Sequence, residues 1–302
     1  MYEKGVDFRR VRIDLLAKEQ HERWYLEKIN PRGEVPALKH GDTVVVESSR
    51  IMEYIDENFG GMSVGRMLYP VDAQALAKSK HFMKLFDAIP TFPLTYGAVC
   101  FHTEQVTSVL RWPYSSDNVR ETFKKMILSI SSSLKCRSIQ VNDIPAGKVL
   151  AQKAQAFDTH IRPLFEDLTM YENFLCQIEA TLDEVESHLS NDERLGPWLC
   201  GPTFTAADIS FSCLLLRLYQ LGLDDRMWKG GVRPNIAVYQ NMAFKRPTLQ
   251  KATEWNLHEN EVMVIEPPMS DGEQAANQAA YFGMAAAVVL GAMYTYKKLR
   301  RT

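Results

Sequence analysis

The sequence predicts an α+β protein: a small mixed N-terminal part, an all-helical body, and an apolar C-terminal helix. Three observations carry this expectation. Two short β-like runs, Ala37–Lys39 and Thr43–Val46, flank His40-Gly41-Asp42, which is the turn chemistry of a hairpin. From Pro70 to Arg246 the apolar residues recur at helical spacing, broken at Pro90, Pro93, Pro113, Pro145 and Pro197; such a period buries one stripe of each helix. Residues 275–296 hold no charged side chain and make a helix of about 30 Å, the thickness of a bilayer's hydrocarbon core.

In chain order, residues 1–60 form the mixed part. Phe8–Asp14 alternates as a strand does, Lys18–Ile29 is helical in composition, and the hairpin is followed by an amphipathic helix at Ser48–Asn58. Residues 70–260 form the helical body, with helices expected at Asp72–Phe86, Gly147–Asp167, Tyr171–Leu189 and Ala206–Leu221. Pro267-Pro268 and Asp271-Gly272 mark residues 261–274 and their surroundings as a linker. Residues 275–296 are the expected transmembrane tail anchor, and 297–302 carry Lys297, Lys298, Arg300 and Arg301 for the flanking water. The alternative for this segment is an alanine-rich amphipathic or buried helix.

A net charge of −2, with no basic cluster before the last few residues, argues against a nucleic-acid partner. Five cysteines, Cys100, Cys136, Cys176, Cys200 and Cys213, form no CxxC pair and read as reduced thiols of a cytosol-facing protein. No metal-ligand spacing, phosphate-cradling glycine loop or nucleophile triad is evident.

The stretch Asn30–Ile55, NPRGEVPALKHGDTVVVESSRIMEYI, places a proline where a ladder donor would be expected and ends its second strand on Glu47-Ser48. A helix that starts at Ser48 turns unpaired N–H groups and a positive dipole end outward, toward a small carboxylate, while Glu47 can accept an ammonium. The other reading is a routine helix start, with Ser48 as its cap.

Asn30, Pro31, Gly33, Val35, Pro36 and Leu38, then Glu47-Ser48 and Tyr54, resemble the second half of the thioredoxin-like domain of glutathione transferases. That resemblance implies a cis bond before Pro36, a Val35 backbone open to the cysteinyl part of glutathione, and a Glu47-Ser48 pair reading its γ-glutamyl end. PWLCGPTFTAADISFSCLLLRLYQLG resembles the capped, buried helix of that family's helical domain. There Thr205 and Asp208 form a capping box and Phe204 and Ile209 stand at staple positions, a structural role without chemistry.

Two departures stand out. The chain begins MYEKGVDFRRVRIDL, which resembles the end of the family's first helix and its second strand. The first strand, with the Tyr, Ser or Cys that stabilises the thiolate, is therefore expected to be missing through a shortened start. The second departure is a helical insertion at about residues 100–166, with the Ser-rich, basic run FKKMILSISSSLKCRS, whose charges read as a solvated helix face or, alternatively, as a partner surface. Together with Trp228, Gly231, Arg233, Pro234 and Asn235 and the apolar tail, this order resembles the ganglioside-induced differentiation-associated protein 1 family.

That resemblance implies a tail-anchored protein of the mitochondrial outer membrane, its body in the cytosol, with partners in mitochondrial fission and network dynamics. Two functions follow. One is a non-enzymatic adaptor or ligand/redox sensor, with glutathione as ligand and no cofactor. The other is a glutathione transferase acting on electrophiles, which requires a group that lowers the thiol pKa.

Gly283, Ala287 and Gly291 recur every four residues on one face of the tail, a small-xxx-small strip that lets two helices approach in lipid and form a homodimer. Changing Gly283 and Gly291 to Ile keeps the segment apolar and blocks that approach. Crosslinking in membranes should show the dimer yield fall in the double variant; an unchanged yield assigns any dimer to the body.

Overall fold

The computed structural model describes residues 1–256 apart from residue 16 and residues 60–66, 103–116 and 192–194. The chain divides into two compact units, Met1–Val264 and Ile265–Thr302; everything described belongs to the first. The expected linker, tail anchor and basic end lie outside the described residues, as do Gly283, Ala287 and Gly291. Among the described residues no helix is long and apolar enough to cross a membrane.

The mixed part opens on a 3-10 turn, Tyr2–Lys4, and continues through a second, Glu19–His21, to α1, Arg23–Lys28. Strands β1, Ala37–His40, and β2, Thr43–Val46, pair antiparallel with His40 opposite Thr43, so Gly41-Asp42 is the two-residue turn. Helix α2, Ser48–Phe59, lays Ile51 and Ile55 against Leu38 and Met1.

Two expectations are corrected here. Phe8–Asp14 is not a strand: the described sheet has two strands only, and an alternating segment becomes a strand only with a ladder partner. Lys18–Ile29 is not one helix, because Glu22 adopts an extended conformation between the 3-10 turn and α1.

The helical body contains α3, Ala73–Asp87, capped by Asp72, and α4, Thr91–Phe101. The insertion supplies α5, Asp117–Leu128, α6, Ile130–Gln140, and α7, Pro145–Ala156. The single helix expected at Gly147–Asp167 begins two residues earlier, at Pro145, and runs through a π turn, Phe157–Ile161, into α8, Pro163–Glu166. Proline at the first helical position sets both starts, since its missing N–H is one the first turn does not use. At the π turn Asp158 accepts from Ser131 and Lys135 of α6, each at 2.7 Å, and from Arg162 Nε at 3.0 Å. These donors, Lys135 first, then Ser131 and Arg162, hold the Asp158 carboxyl well below the usual carboxylate range.

Helix α9, Leu168–Leu189, is the central strut. It buries Tyr171, Phe174, Leu175, Ile178, Leu182, Val185 and Leu189, a spacing that turns one face to the core. Gly97 of α4 lets that helix come close, since a Cβ there would lie 2.1 Å from the Tyr171 ring. The Tyr171 hydroxyl donates to the Leu94 carbonyl at 3.0 Å.

Helices α10, Ala206–Gln220, α11, Asp224–Met227, α12, Pro234–Phe244, and α13, Pro247–Asn256, complete the body. The Trp228-to-Asn235 motif anchors α12 to α9. Trp228 is buried, Arg233 Nε donates to Asp183 at 2.8 Å, and Glu186 accepts the N–H groups of Asn235 and Ile236 at 2.9 and 2.8 Å.

Two buried carboxylates organise these parts. Asp208 closes the capping box with Thr205 at the start of α10, and besides Thr205 it accepts from the Leu199 N–H at 2.8 Å and the Tyr239 hydroxyl at 2.7 Å. Asp56 of α2 accepts from Lys4 Nζ at 2.8 Å and from the N–H groups of Leu68 and Tyr69 at 2.8 and 3.1 Å. The Leu68 carbonyl then accepts from Ala206, the first residue of α10, at 2.8 Å.

Asp56→Asn removes the carboxylate charge that pairs with the buried Lys4 ammonium, and breaking a buried pair costs about 3–5 kcal/mol. Urea denaturation should show a loss of that size. Asp72→Asn, at an exposed cap where Asn serves as well, should stay within about 1 kcal/mol of the parent.

Candidate functional site

The site is the edge in front of β1, and Asn30 builds it. Its buried side chain accepts from the Arg32 N–H and donates to the Glu34 carbonyl, both at 3.0 Å, while Gly33 N–H donates to the Asn30 carbonyl at 2.9 Å. The Tyr25 hydroxyl of α1 donates to the same Glu34 carbonyl at 2.7 Å. Gly33, at φ +59°, is pressed on His21, whose ring carbon lies 2.5 Å from where a Cβ would be. The Val35–Pro36 bond that follows is cis. Neither the N–H nor the C=O of Val35 makes a hydrogen bond to another described residue, which leaves a short row of backbone groups for an extended ligand.

Glu47 and Ser48 close the other side. Glu47 stands at φ +68° between β2 and α2, a conformation that a non-glycine residue adopts where its surroundings impose it. Its carbonyl accepts the first α2 bond, from the Ile51 N–H at 2.9 Å, and its half-exposed carboxylate lies 3.7 Å from the Arg32 guanidinium. Ser48 is exposed at the first position of α2. Asp87, the last residue of α3, has its carboxyl raised by burial first and then by the Glu47 charge, so the helical body faces this edge with an acid.

The predicted residues Val35, Pro36, Glu47 and Ser48 thus belong to one hairpin and the helix it feeds. Tyr54 takes no place beside Glu47; its hydroxyl pairs with His40 Nδ1 at 3.0 Å. Thr205 and Asp208 lie in the α10 cap and serve structure. Arg32, Glu34 and Lys153 escaped the sequence reading. Lys153 Nζ sits 2.8 Å from the Glu34 carboxylate and donates to the Arg32 carbonyl at 3.0 Å. Arg32 and Glu34 flank Gly33 in the motif, but no sequence signal couples them to a lysine on α7.

Two family descriptions match the chain: glutathione S-transferase, N-terminal domain, over residues 1–63, and glutathione S-transferase, C-terminal domain, over residues 171–239. This is a glutathione S-transferase-like chain. Between the two matched spans lie residues 64–170, which include the insertion.

Among curated proteins the transferase-like chain is 24% identical over 255 residues to ganglioside-induced differentiation-associated protein 1-like 1 of Homo sapiens, a match covering 82% of this chain and 67% of that one. The Mus musculus protein of the same name matches to the same extent. Protein LigF of a Sphingobium strain is 42% identical over 87 residues, 29% of this chain and 33% of that one. The crystal structure of the beta-etherase LigF superposes with a TM-score of 0.55 at 22% identity, covering 84% of this chain and 90% of that one; this likeness establishes the fold.

His21 supplies a measurable handle on the edge. Burial, then the cations Lys153, Arg137 and Lys18, bring its pKa down to about 4, whereas in an unfolded chain it titrates near about 6.5. Between those values the unfolded chain binds more protons, so this stabilisation is complete above about pH 6.5 and is lost as the pH falls toward about 4. The denaturation midpoint should decline across that window, and His21→Gln, which gains no charge, should flatten the decline. Identical slopes in both proteins would remove His21 as the source.

Proposed function

We propose that this transferase-like chain is a tail-anchored protein of the mitochondrial outer membrane, its body in the cytosol, that influences mitochondrial fission and network shape as an adaptor or ligand/redox sensor. Its ligand is a small γ-glutamyl peptide of the glutathione type. The likeness to ganglioside-induced differentiation-associated protein 1-like 1 across most of the chain supports the cellular role, and the uncharged segment 275–296 with its basic end supports the anchor.

One observation carries the choice of binding over conjugation: the tyrosines around the edge are committed to other acceptors. Tyr25 donates to the Glu34 carbonyl and has its pKa pushed up to about 12, by burial first and then by Glu34. Tyr69 donates to the Ser49 carbonyl at 3.5 Å and is pushed far up by burial and by Glu53, Asp56 and Asp87. A hydroxyl that lowers a thiol's pKa must be free to donate to the sulfur and itself tolerate negative charge; each of these donates to a backbone carbonyl and is disfavoured in its charged form. In this reading glutathione meets an edge that reads it, with the hydroxyls of Tyr25 and Tyr69 turned to other acceptors.

The second reading, a glutathione transferase acting on electrophiles, is favoured by the cis Val35–Pro36 edge and the Glu47-Ser48 helix start, which are the parts such an enzyme needs for binding. Full-length protein purified in detergent separates the two. Calorimetry should show glutathione binding that Glu47→Gln weakens, and an aryl halide assay should show turnover at the uncatalysed rate. Protein-dependent turnover well above that rate would replace the sensor reading with the enzyme.

A further inference from the structure

The basic residues of the insertion, expected as a solvated face, are in part interface residues. Leu26 of α1 is buried in one cluster with Leu134 of α6, Val141, and Ala146, Leu150 and Ala154 of α7, so the hairpin of α6 and α7 is packed on the mixed part. Polar clamps surround this contact. Arg23 meets Asp143 at 2.6 and 3.1 Å, and Arg137 donates to the His21 carbonyl at 2.7 Å and to Glu22 at 3.1 Å. The third clamp is Lys153, which alone among these reaches the Arg32-to-Glu34 loop.

At that loop the charges alternate. Lys153 lies 2.8 Å from Glu34, Glu34 lies 2.9 Å from Arg32, and Arg32 lies 3.7 Å from Glu47. Glu34 divides its carboxylate between two cations, one oxygen for Lys153 and one for Arg32. The second hydrogen bond of Lys153 holds the Arg32 carbonyl, three residues ahead of Val35. A loop tied at both its backbone and its acid has fewer conformations to lose when a ligand pairs with the Val35 edge, which is how preorganisation raises affinity.

We propose that Lys153 of the insertion is a positioning residue for the Val35 edge, holding the Arg32–Glu34 loop and its chain of charges in the geometry that a γ-glutamyl peptide meets. Without Lys153 the Arg32 carbonyl loses its donor and Glu34 keeps one cation, so Arg32 shifts toward Glu34 and away from Glu47. The insertion thereby becomes a wall of the ligand site, and anything that moves α7 alters the edge. The ligand half of this inference rests on the glutathione reading above; the positioning half stands on the contacts.

Hydrogen–deuterium exchange on the full-length protein in detergent tests it, with calorimetry of glutathione alongside. In Lys153→Gln the amides of Arg32 and Gly33, which donate to Asn30, should exchange about tenfold faster, the equivalent of one charge-assisted hydrogen bond, at an unchanged global denaturation midpoint. Lys153→Arg should restore protection. Arg23→Gln, which breaks a clamp of the same interface away from the loop, should leave those amides alone. Glutathione affinity should fall several-fold in Lys153→Gln. Unchanged exchange in Lys153→Gln, or equal acceleration in Arg23→Gln, overturns the proposal even where glutathione binds. Faster exchange in Lys153→Gln with no glutathione binding by the parent supports the positioning role and removes the glutathione reading instead.

Discussion

The carboxylate of Asp56 is the contact on which the arrangement of the body depends. It lies in the core near the end of α2 and has Lys4 on one oxygen and the N–H groups of Leu68 and Tyr69 on its two oxygens. A buried carboxylate is tolerable only when its oxygens are matched by donors in good geometry, because desolvation otherwise outweighs the attraction. The requirement is directional. It sets the depth of the N-terminal turn, the rotation of α2, and the path of the chain into the helical body. From Leu68 the same path continues to the Ala206 N–H, and so to the start of α10.

Asp208 repeats the device one step further. Its four donors come from Leu199, from Thr205 twice, and from Tyr239 on α12. Burial raises the Asp208 carboxyl and these donors oppose it, so the helix start is held by a group that tolerates no loss of partners. A capping box worth about 1 kcal/mol at a surface acts here as a joint between α10, the Trp198-to-Thr205 segment and α12. The two joints together place α2, and with it Glu47 and Ser48, relative to the body that presents Asp87.

The ligand edge is a balance of opposite charges rather than a bare hole. Glu34, Glu47 and Asp87 supply acid, and Arg32 and Lys153 supply base, within one neighbourhood. In the function proposed above, a zwitterion would meet this site with its two ends apart: the N-terminus of α2 suits a carboxylate, and Glu47 suits an ammonium. Because Arg32 also reaches Glu47, a ligand's ammonium competes with a resident cation, and affinity depends on where the loop holds that cation.

The Asn30-to-Leu38 motif was legible because its chemistry is local: Asn30, Gly33 and Glu34 close their own turn within five residues. The α10 cap was legible for the same reason, with Thr205 and Asp208 three apart. The strand expected at Phe8–Asp14 failed because alternation states only what a strand would bury, and pairing needs a neighbour that the segment does not carry. The insertion's role was invisible: Arg137 and Lys153 look like any exposed cations on amphipathic helices until α6 and α7 close on Leu26. By itself the sequence determined the hairpin and the starts of α2 and α10, since each is set by residues a few positions apart, while the cis bond before Pro36 came from the family resemblance. Only the tertiary structure decided that a lysine 118 positions after Val35 would hold the edge and that Asp56 would meet Lys4, because burial and charge pairing between distant segments depend on packing that no local pattern encodes.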